Sequence, residues 1–328
     1  MPETSIIILN YNGAEFIEKC LDSVLRQTYR DFEIIVVDNN STDRSIAVLS
    51  RYAQKIRMIC NSENLGFAEG NNTGIKRAKG KYIFILNNDT VLDRHCIYYL
   101  MKAVKKNNVD MVSPKVLLEN GDIDTLGLKL MFSLTGKDIK SLDQSIFQYK
   151  KVFCPSGVAS FFTRKMLEDI KMPVNIGLYA HKGVGKSIGS YDYYDSSYFI
   201  YSEDFDLGFR AVLKGYKCVY EPKAVLWHIH GAVTKKFPER SIYLNDRNRL
   251  ITLVKCCPAW LLFKYSFFIL FYQFASILKY LAKGRFVTIK SKAEFIKNTK
   301  RYLNKRRIIQ SEKVIDNREL ERYCGGIL

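Results

Sequence analysis

The sequence predicts an α/β fold, a mainly parallel sheet flanked by helices and followed by a C-terminal helical extension. Short β-branched runs alternate with helically spaced apolar segments through the first 113 residues, the pattern of a parallel sheet covered on both faces. From about Ser241 the pattern becomes long, basic and helical. The chain has 328 residues, of which 47% are hydrophobic and 13% aromatic, enough for one large core plus an appendage.

The elements follow in order. Ser5–Leu9 reads as a buried strand, and Glu15–Gln27 as a helix with apolar Phe16, Ile17, Cys20, Leu21, Val24 and Leu25 on one face. Phe32–Val37 is a second strand ending at Asp38. Ser41-Thr42-Asp43 offers capping chemistry for a helix over Arg44–Gln54. Ile56–Cys60 and Lys81–Leu86 read as strands, Gly70–Ala78 and Cys96–Lys106 as helices, and Asp110–Ser113 as a further strand. Residues 114–200 are less regular, and the aromatic, Gly-rich stretch Asn175–Tyr201 reads as a mobile loop or lid. Glu203–Lys214 is a helix and Lys217–His230 a returning strand. This pattern divides the chain into a domain over 1–240 and an extension over 241–328.

Charge is uneven. The net charge is +18, and residues 235–328 carry 21 Lys/Arg against 7 Asp/Glu, or +14 of it. A basic tail implies contact with phosphates, of nucleic acid or of anionic lipid. No groove-reading or base-stacking motif accompanies it, so nucleic acid is not expected. The apolar run Pro258–Ala282 is interrupted by Lys264, Gln273 and Lys279, and its uncharged core of 14 residues is short of the roughly 20 that span a bilayer as a helix. An apolar helix beside a cationic one fits shallow burial at an anionic membrane, or a helical pair packed on the domain with a solvated basic face. The strand signal at Ser5 leaves no room for a signal peptide. The eight cysteines form no C-x-x-C pair, which suggests a reducing, intracellular setting.

Ligands of an open parallel sheet bind beyond the carboxyl ends of its strands. Three polar clusters sit there: Asn10-Tyr11-Asn12, Asp38-Asn39-Asn40 and Asn87-Asn88-Asp89. Asp89 is placed either to hold Mg²⁺ or Mn²⁺ against a diphosphate or to cap the next helix. The segment Asn64–Gly74 brings glycines and amides to a helix start, where backbone N–H groups can meet an anion. Glu203, Asp204 and Asp206 crowd a helix start, which suits the helix dipole or a catalytic or metal role. His228 and His230 end a strand on one face, as structural residues or metal ligands. Ala180–Ser187 approximates a phosphate-binding loop but lacks the flanking strand and helix, and is assigned to the lid.

In this order the residues resemble family 2 glycosyltransferases of GT-A fold, in the branch of rhamnosyltransferases and galactofuranosyltransferases. The resemblance covers about residues 4–250. It rests on Ile8-Leu9-Asn10-Tyr11-Asn12, Cys20–Val24, Val37–Asp43, Asn64-Leu65-Gly66-Phe67 with Gly70-Asn71-Asn72, Leu86–Asp89, Glu203–Leu207 and Trp227-His228. It implies an inverting transfer of a sugar from a nucleotide-diphosphate donor, with Mg²⁺ or Mn²⁺ as cofactor. By position, Asp204 matches the base, with Glu203 as the other candidate, and Asp89 and His228 match metal ligands. Asp38 matches the acid that contacts the donor base or ribose. Asn10, Tyr11, Asn12, Asn40, Asn64, Gly66, Phe67, Asn71, Asn87 and Asn88 complete the donor set, and Arg247 and Arg249 are candidates for contact with the donor phosphates or the acceptor. Asn87 departs from the first Asp of the family's D-x-D motif, and Glu69 stands where small residues are usual. The implied acceptor is a lipid-linked or cell-surface glycan, met by a cytoplasmic protein peripheral to the inner membrane face. Other readings of the residues are a nucleotidyltransferase making nucleotide sugars, which would need a basic Gly-rich loop near Gly13, and a non-catalytic basic binding protein.

Overall fold

The computed structural model describes residues 1–141, 151–174, 191–229 and 238–325. The first half follows the expected alternation. It comprises β1 (Thr4–Asn10), α1 (Ile17–Leu25), β2 (Phe32–Asp38), α2 (Ser45–Ser50), β3 (Arg57–Cys60), α3 (Gly66–Arg77), β4 (Tyr82–Asn87), β5 (Thr90–Leu92) and α4 (Cys96–Asn107). Next come β6 (Met111–Leu118), β7 (Ile123–Thr125), the hairpin of β8 (Leu128–Leu130) and β9 (Gly136–Asp138), β10 (Lys151–Val152) and β11 (Ala159–Thr163). A two-stranded piece, β12 (Met172–Pro173) with β13 (Tyr191–Asp192), precedes the acidic helix Glu203–Leu213 and β14 (Cys218–His228). Six helices follow, from Pro238–Cys256 to Asn317–Glu321, among the described residues.

The main sheet runs β10-β14-β6-β11-β4-β1-β2-β3, with β5 on β14 and β7 on β6. Strands β4, β1, β2 and β3 are parallel, as the alternation requires. The irregular middle holds an unforeseen element: β11 inserts antiparallel between β4 and β6. Its ASFFT run is too short to separate from loop by periodicity alone.

Period-two alternation sorts the strands onto two cores. Ile6, Ile8, Phe84 and Leu86 face α1 and α4, whereas Ile7, Ile83 and Ile85 face α3 and the acidic helix. All are essentially inaccessible, and each contributes about 1.5–3 kcal/mol by burial. Leu253, Cys256, Leu261, Ile309 and Leu320 join the second core, so the helical extension shares the hydrophobic interior of the sheet. Buried charge reinforces the join. Lys255 bridges Asp195 and Asp206, and Lys305 reaches Asp195 at 2.6 Å.

The stretch expected to be a lid divides. Residues 175–190, including the phosphate-loop-like run, lie outside the described residues. Residues 191–201 are packed, not lid-like: Tyr194 and Tyr198 are fully buried, and Asn72 holds the Tyr193 and Tyr194 amides. Aromatic rings that read as loop composition serve there as core.

Candidate active site

The parallel register brings three strand ends to one rim, with Asn10 opposite Asp38 and Leu9 opposite Asn87. Beyond that rim opens a cavity of about 600 Å³. Of the residues singled out in the sequence, Tyr11, Asn64, Gly66, Phe67, Asn87, Asn88, Asp89, His228, Glu203 and Asp204 line it.

Asn10, Asn12, Asp38, Asn40 and Asn71 do not line it. Asn10 donates to Asp38 at 2.9 Å and accepts from Asn88 at 2.8 Å, which ties all three strand ends together. Asp38 accepts from the Ser41 hydroxyl and amide, and Asn12 accepts from the Thr42 amide. Asn40 takes a left-handed turn at φ 62°, and Asn71 donates to the Phe67 carbonyl. The Asn10, Asn12, Asp38 and Asn71 side chains thus bond within the rim. Gly13 is part of the same device, because a Cβ there would stand 2.0 Å from the Asn88 amide nitrogen.

The helix expected from Gly70 begins at Gly66. The Phe199 carbonyl accepts from the Phe67 and Ala68 amides, so those donors are turned to protein and not to an anion. Gly66 sits at φ 77°, where a Cβ would lie 2.5 Å from that carbonyl. Phe199, Tyr201 and Ser202 also have positive φ, and strained backbone of this kind concentrates at functional sites. Asn248 holds the loop in place by donating to the Tyr198, Ile200 and Tyr201 carbonyls.

β14 runs antiparallel to β5 and sets His228 opposite Thr90, beside Asp89. The His228 Nε2 is 3.3 Å from an Asp89 oxygen, and its Nδ1 is 2.8 Å from Asp124. Burial disfavours the imidazolium, but the Asp124 and Asp89 carboxylates outweigh it and raise the His228 pKa to about 9. A carboxylate and an imidazole facing one another suit Mn²⁺ or a similar ion. Among the described residues no cluster of three or more His, Cys, Asp or Glu gathers to hold a metal. His230 lies outside the described residues.

The three acids at the helix start separate into two roles. Asp206 is buried against Lys255 at 2.9 Å and Arg210 at 3.1 Å, a structural anchor. Glu203 and Asp204 face the cavity. Burial raises Asp204 to about 6, opposed by the Phe205 and Gly157 amides, the latter at 2.7 Å. Burial and the neighbouring Asp204 charge push Glu203 well above the usual range. Its Oε2 is buried with no hydrogen-bond partner.

Apart from Arg249, the sequence reading missed the far wall. Thr135, Gly136 and Asp138 come from the β8–β9 hairpin, and Ser156-Gly157 from the turn before β11. One face of the helix Pro238–Cys256, with Ser241, Asn245, Arg249 and Thr252, closes the cavity. Their spacing of four, four and three is a helical stripe that could have flagged them. Arg247, a candidate for phosphate contact, instead bonds Glu294 and the Ser197 and Tyr198 carbonyls.

The model of glycosyl transferase family 2 matches residues 5–171. The chain belongs to glycosyl transferase family 2. This family 2 transferase is 39% identical over 115 residues to the uncharacterized glycosyltransferase EpsJ of Bacillus subtilis, covering 34% of this chain and 33% of that protein. It is 30% identical over 209 residues to a poly(ribitol-phosphate) beta-glucosyltransferase of Bacillus spizizenii, covering 58% of this chain and 31% of that one. The chain thus spans about a third of the length of these relatives. Among solved structures it shares its fold with the mannosyltransferase PcManGT of Pyrobaculum calidifontis, in complex with GDP-Man and Mn²⁺. That comparison has a TM-score of 0.52 at 18% identity and covers 95% of this chain and 86% of that chain. The GT-A fold implied by the sequence resemblance is the one observed.

Proposed function

We propose that this transferase moves a sugar from a nucleotide-diphosphate donor to an acceptor hydroxyl with inversion, using a divalent metal. The observation that carries the reading is the pairing, in one cavity, of Asp89 and His228 with Asp204. Asp89 and His228 would hold Mn²⁺ or Mg²⁺, which when bound neutralises the charge that develops on the departing diphosphate.

Asp204 is the base. With its pKa at about 6 it is ionised at neutral pH yet basic enough to accept the acceptor hydroxyl proton. The Gly157 amide fixes one oxygen and thereby aims the carboxylate. Burial and the Asp204 charge raise the Glu203 pKa and favour its protonated form, which suits a hydrogen-bond donor to a sugar hydroxyl rather than a second base. Environments that push two neighbouring carboxyls apart assign one to each role. The nucleotide lies along the Asn64–Phe67 and Asn87-Asn88 rim, which Asn10, Asp38 and Asn71 brace from behind. On this reading residues 1–240 hold the donor and the chemistry, and 241–328 close the cavity and support it.

The acceptor is a lipid-linked or cell-surface glycan, and the protein works peripherally at the cytoplasmic face of an anionic membrane. The sequence resemblance favours a rhamnose- or galactofuranose-type donor, whereas the Bacillus spizizenii relative is named as a glucosyltransferase. A panel of nucleotide sugars spanning these types, with and without Mn²⁺, separates the options and tests the roles. Metal-dependent binding should be lost in Asp89→Ala. Asp204→Asn should keep binding and lose turnover. Binding of no nucleotide sugar with either metal would defeat the proposal.

A further inference from the structure

The helix Ser266–Leu281 buries none of its residues, although its sequence SFFILFYQFASILKYL is strongly apolar. Its outward stripe consists of Phe267, Leu270, Phe271, Phe274 and Leu278, at positions i, i+3, i+4, i+7 and i+11. Phe267 is 71% exposed, Leu270 68% and Phe274 60%. Phe263, one turn earlier, extends the stripe, and Trp260 stands exposed beyond it. An apolar stripe of this size on the surface of a folded chain marks a contact with something.

Charge identifies the contact. Lys279, Lys283, Arg285 and Lys290 follow the stripe with no carboxylate in the sequence between Asp246 and Glu294, whereas Lys255 is buried and Arg247, Lys264 and Lys292 are paired with Glu294, Glu321 and Asp246. No described helix is long and apolar enough to cross a membrane. Apolar aromatic area combined with one-signed positive charge matches the boundary between acyl chains and anionic headgroups.

The helix is also bonded to the cavity wall at two places. Arg249, which lines the cavity, donates to the Tyr272 hydroxyl. Phe132, in the hairpin turn that carries the cavity-lining Leu134 and Thr135, stacks on Tyr265 at 5.5 Å and packs on Phe268 at 5.9 Å.

We infer that the Phe263–Leu278 stripe docks into an anionic lipid surface and that its ties through Phe132 and Arg249 hold the transfer cavity beside that surface, so the acceptor hydroxyl is delivered on a lipid-borne molecule. This inference deepens the transferase reading and rests on it for the acceptor. Tyr265, Phe268, Tyr272 and Ser276 turn toward the protein, the last toward Asp246. The outward residues remain for the lipid.

The test uses the full chain and vesicles of phosphatidylcholine alone or with phosphatidylglycerol. Flotation should occur with the anionic vesicles and weaken in high salt. Phe267→Glu with Phe271→Glu should lower partitioning about tenfold or more, while Mn²⁺-dependent donor binding in solution stays unchanged. In a Trp227→Phe background, Trp260 fluorescence should be quenched by brominated acyl chains. A chain that stays soluble with anionic vesicles, or a Trp260 that no bromolipid quenches, overturns the inference. So does lipid-free self-association that the double variant abolishes, since a second copy would then cover the stripe. Flotation without donor binding would instead sink the transferase reading and leave the docking surface standing.

Discussion

Removing Lys255 should destabilise the whole fold, because this one ammonium joins the helical extension to the acidic helix. Lys255 is fully buried between Asp195 and Asp206, 2.9 Å from the latter. Asp195 also holds Lys305 at 2.6 Å, and Asp206 also holds Arg210 at 3.1 Å. Three cations thus face two carboxylates, all buried. Breaking a buried pair from one side costs about 3–5 kcal/mol, since the remaining charge cannot regain its hydration. Lys255→Met leaves each carboxylate with one cation, so its cost belongs at the low end, about 3 kcal/mol. Asp195→Asn takes the carboxylate from Lys305 and leaves Lys255 and Arg210 to share Asp206, so it belongs at the high end, about 5 kcal/mol.

Lys305→Met should be mildest. Burial, opposed by Asp195, has already lowered the Lys305 pKa to about 8. Because that value is below its unfolded one, the unfolded chain binds more protons between about pH 8 and 10.5. The contribution of Lys305 to stability therefore rises with pH across that window, and Lys305→Met should flatten the rise. Urea unfolding at pH 7 measures the ranking. Losses under about 1 kcal/mol for both Lys255→Met and Asp195→Asn would refute the argument, as would Lys305→Met proving the worst.

The remaining expectations concern the cavity. As a base with pKa about 6, Asp204 should make kcat/KM fall about tenfold per pH unit below that value. Asp204→Asn should cost roughly 10²- to 10⁴-fold in kcat. Glu203→Gln should retain most activity while Glu203→Ala raises the acceptor KM; equal, near-total loss in both would mean that Glu203 is ionised and acts as the base. Asp124→Asn removes the carboxylate that orients His228 through Nδ1, and should weaken Mn²⁺ binding by about 10- to 100-fold in a calorimetric titration. Gly66→Ala would press a methyl against the Phe199 carbonyl at a positive φ, so donor affinity should fall while α3 remains helical by circular dichroism.

Much of this was legible because strand ends announce themselves. SIIIL, FEIIVV and KYIFIL each stop at a polar cluster, and parallel pairing then places Asn10, Asp38 and Asn87 on one rim. Which of those polar side chains face the cavity was not legible. Asn10 and Asn88 have the same chemistry, yet Asn10 is spent holding Asp38 and Asn88. Asp204 and Asp206 are two positions apart, and the approach of Lys255 from the far helix, with Arg210, makes Asp206 an anchor while Asp204 faces the cavity. Asp124 escaped notice because its partner His228 is 104 residues away and its own β7 has only three residues. The extension read as an appendage because its basic composition dominates. Its apolar contacts, Leu253, Cys256, Leu261, Ile309 and Leu320 among them, carry it into the core, and a charge count does not see them.

The stereochemistry of transfer tests the central claim most directly. With an α-linked nucleotide sugar and a soluble acceptor, the anomeric proton of the first product can be followed by NMR in wild type and in Asp204→Asn. A single displacement with Asp204 as base yields the β-linked product from wild type and next to none from the variant. An α-linked product would show net retention and contradict the account of this cavity as an inverting site.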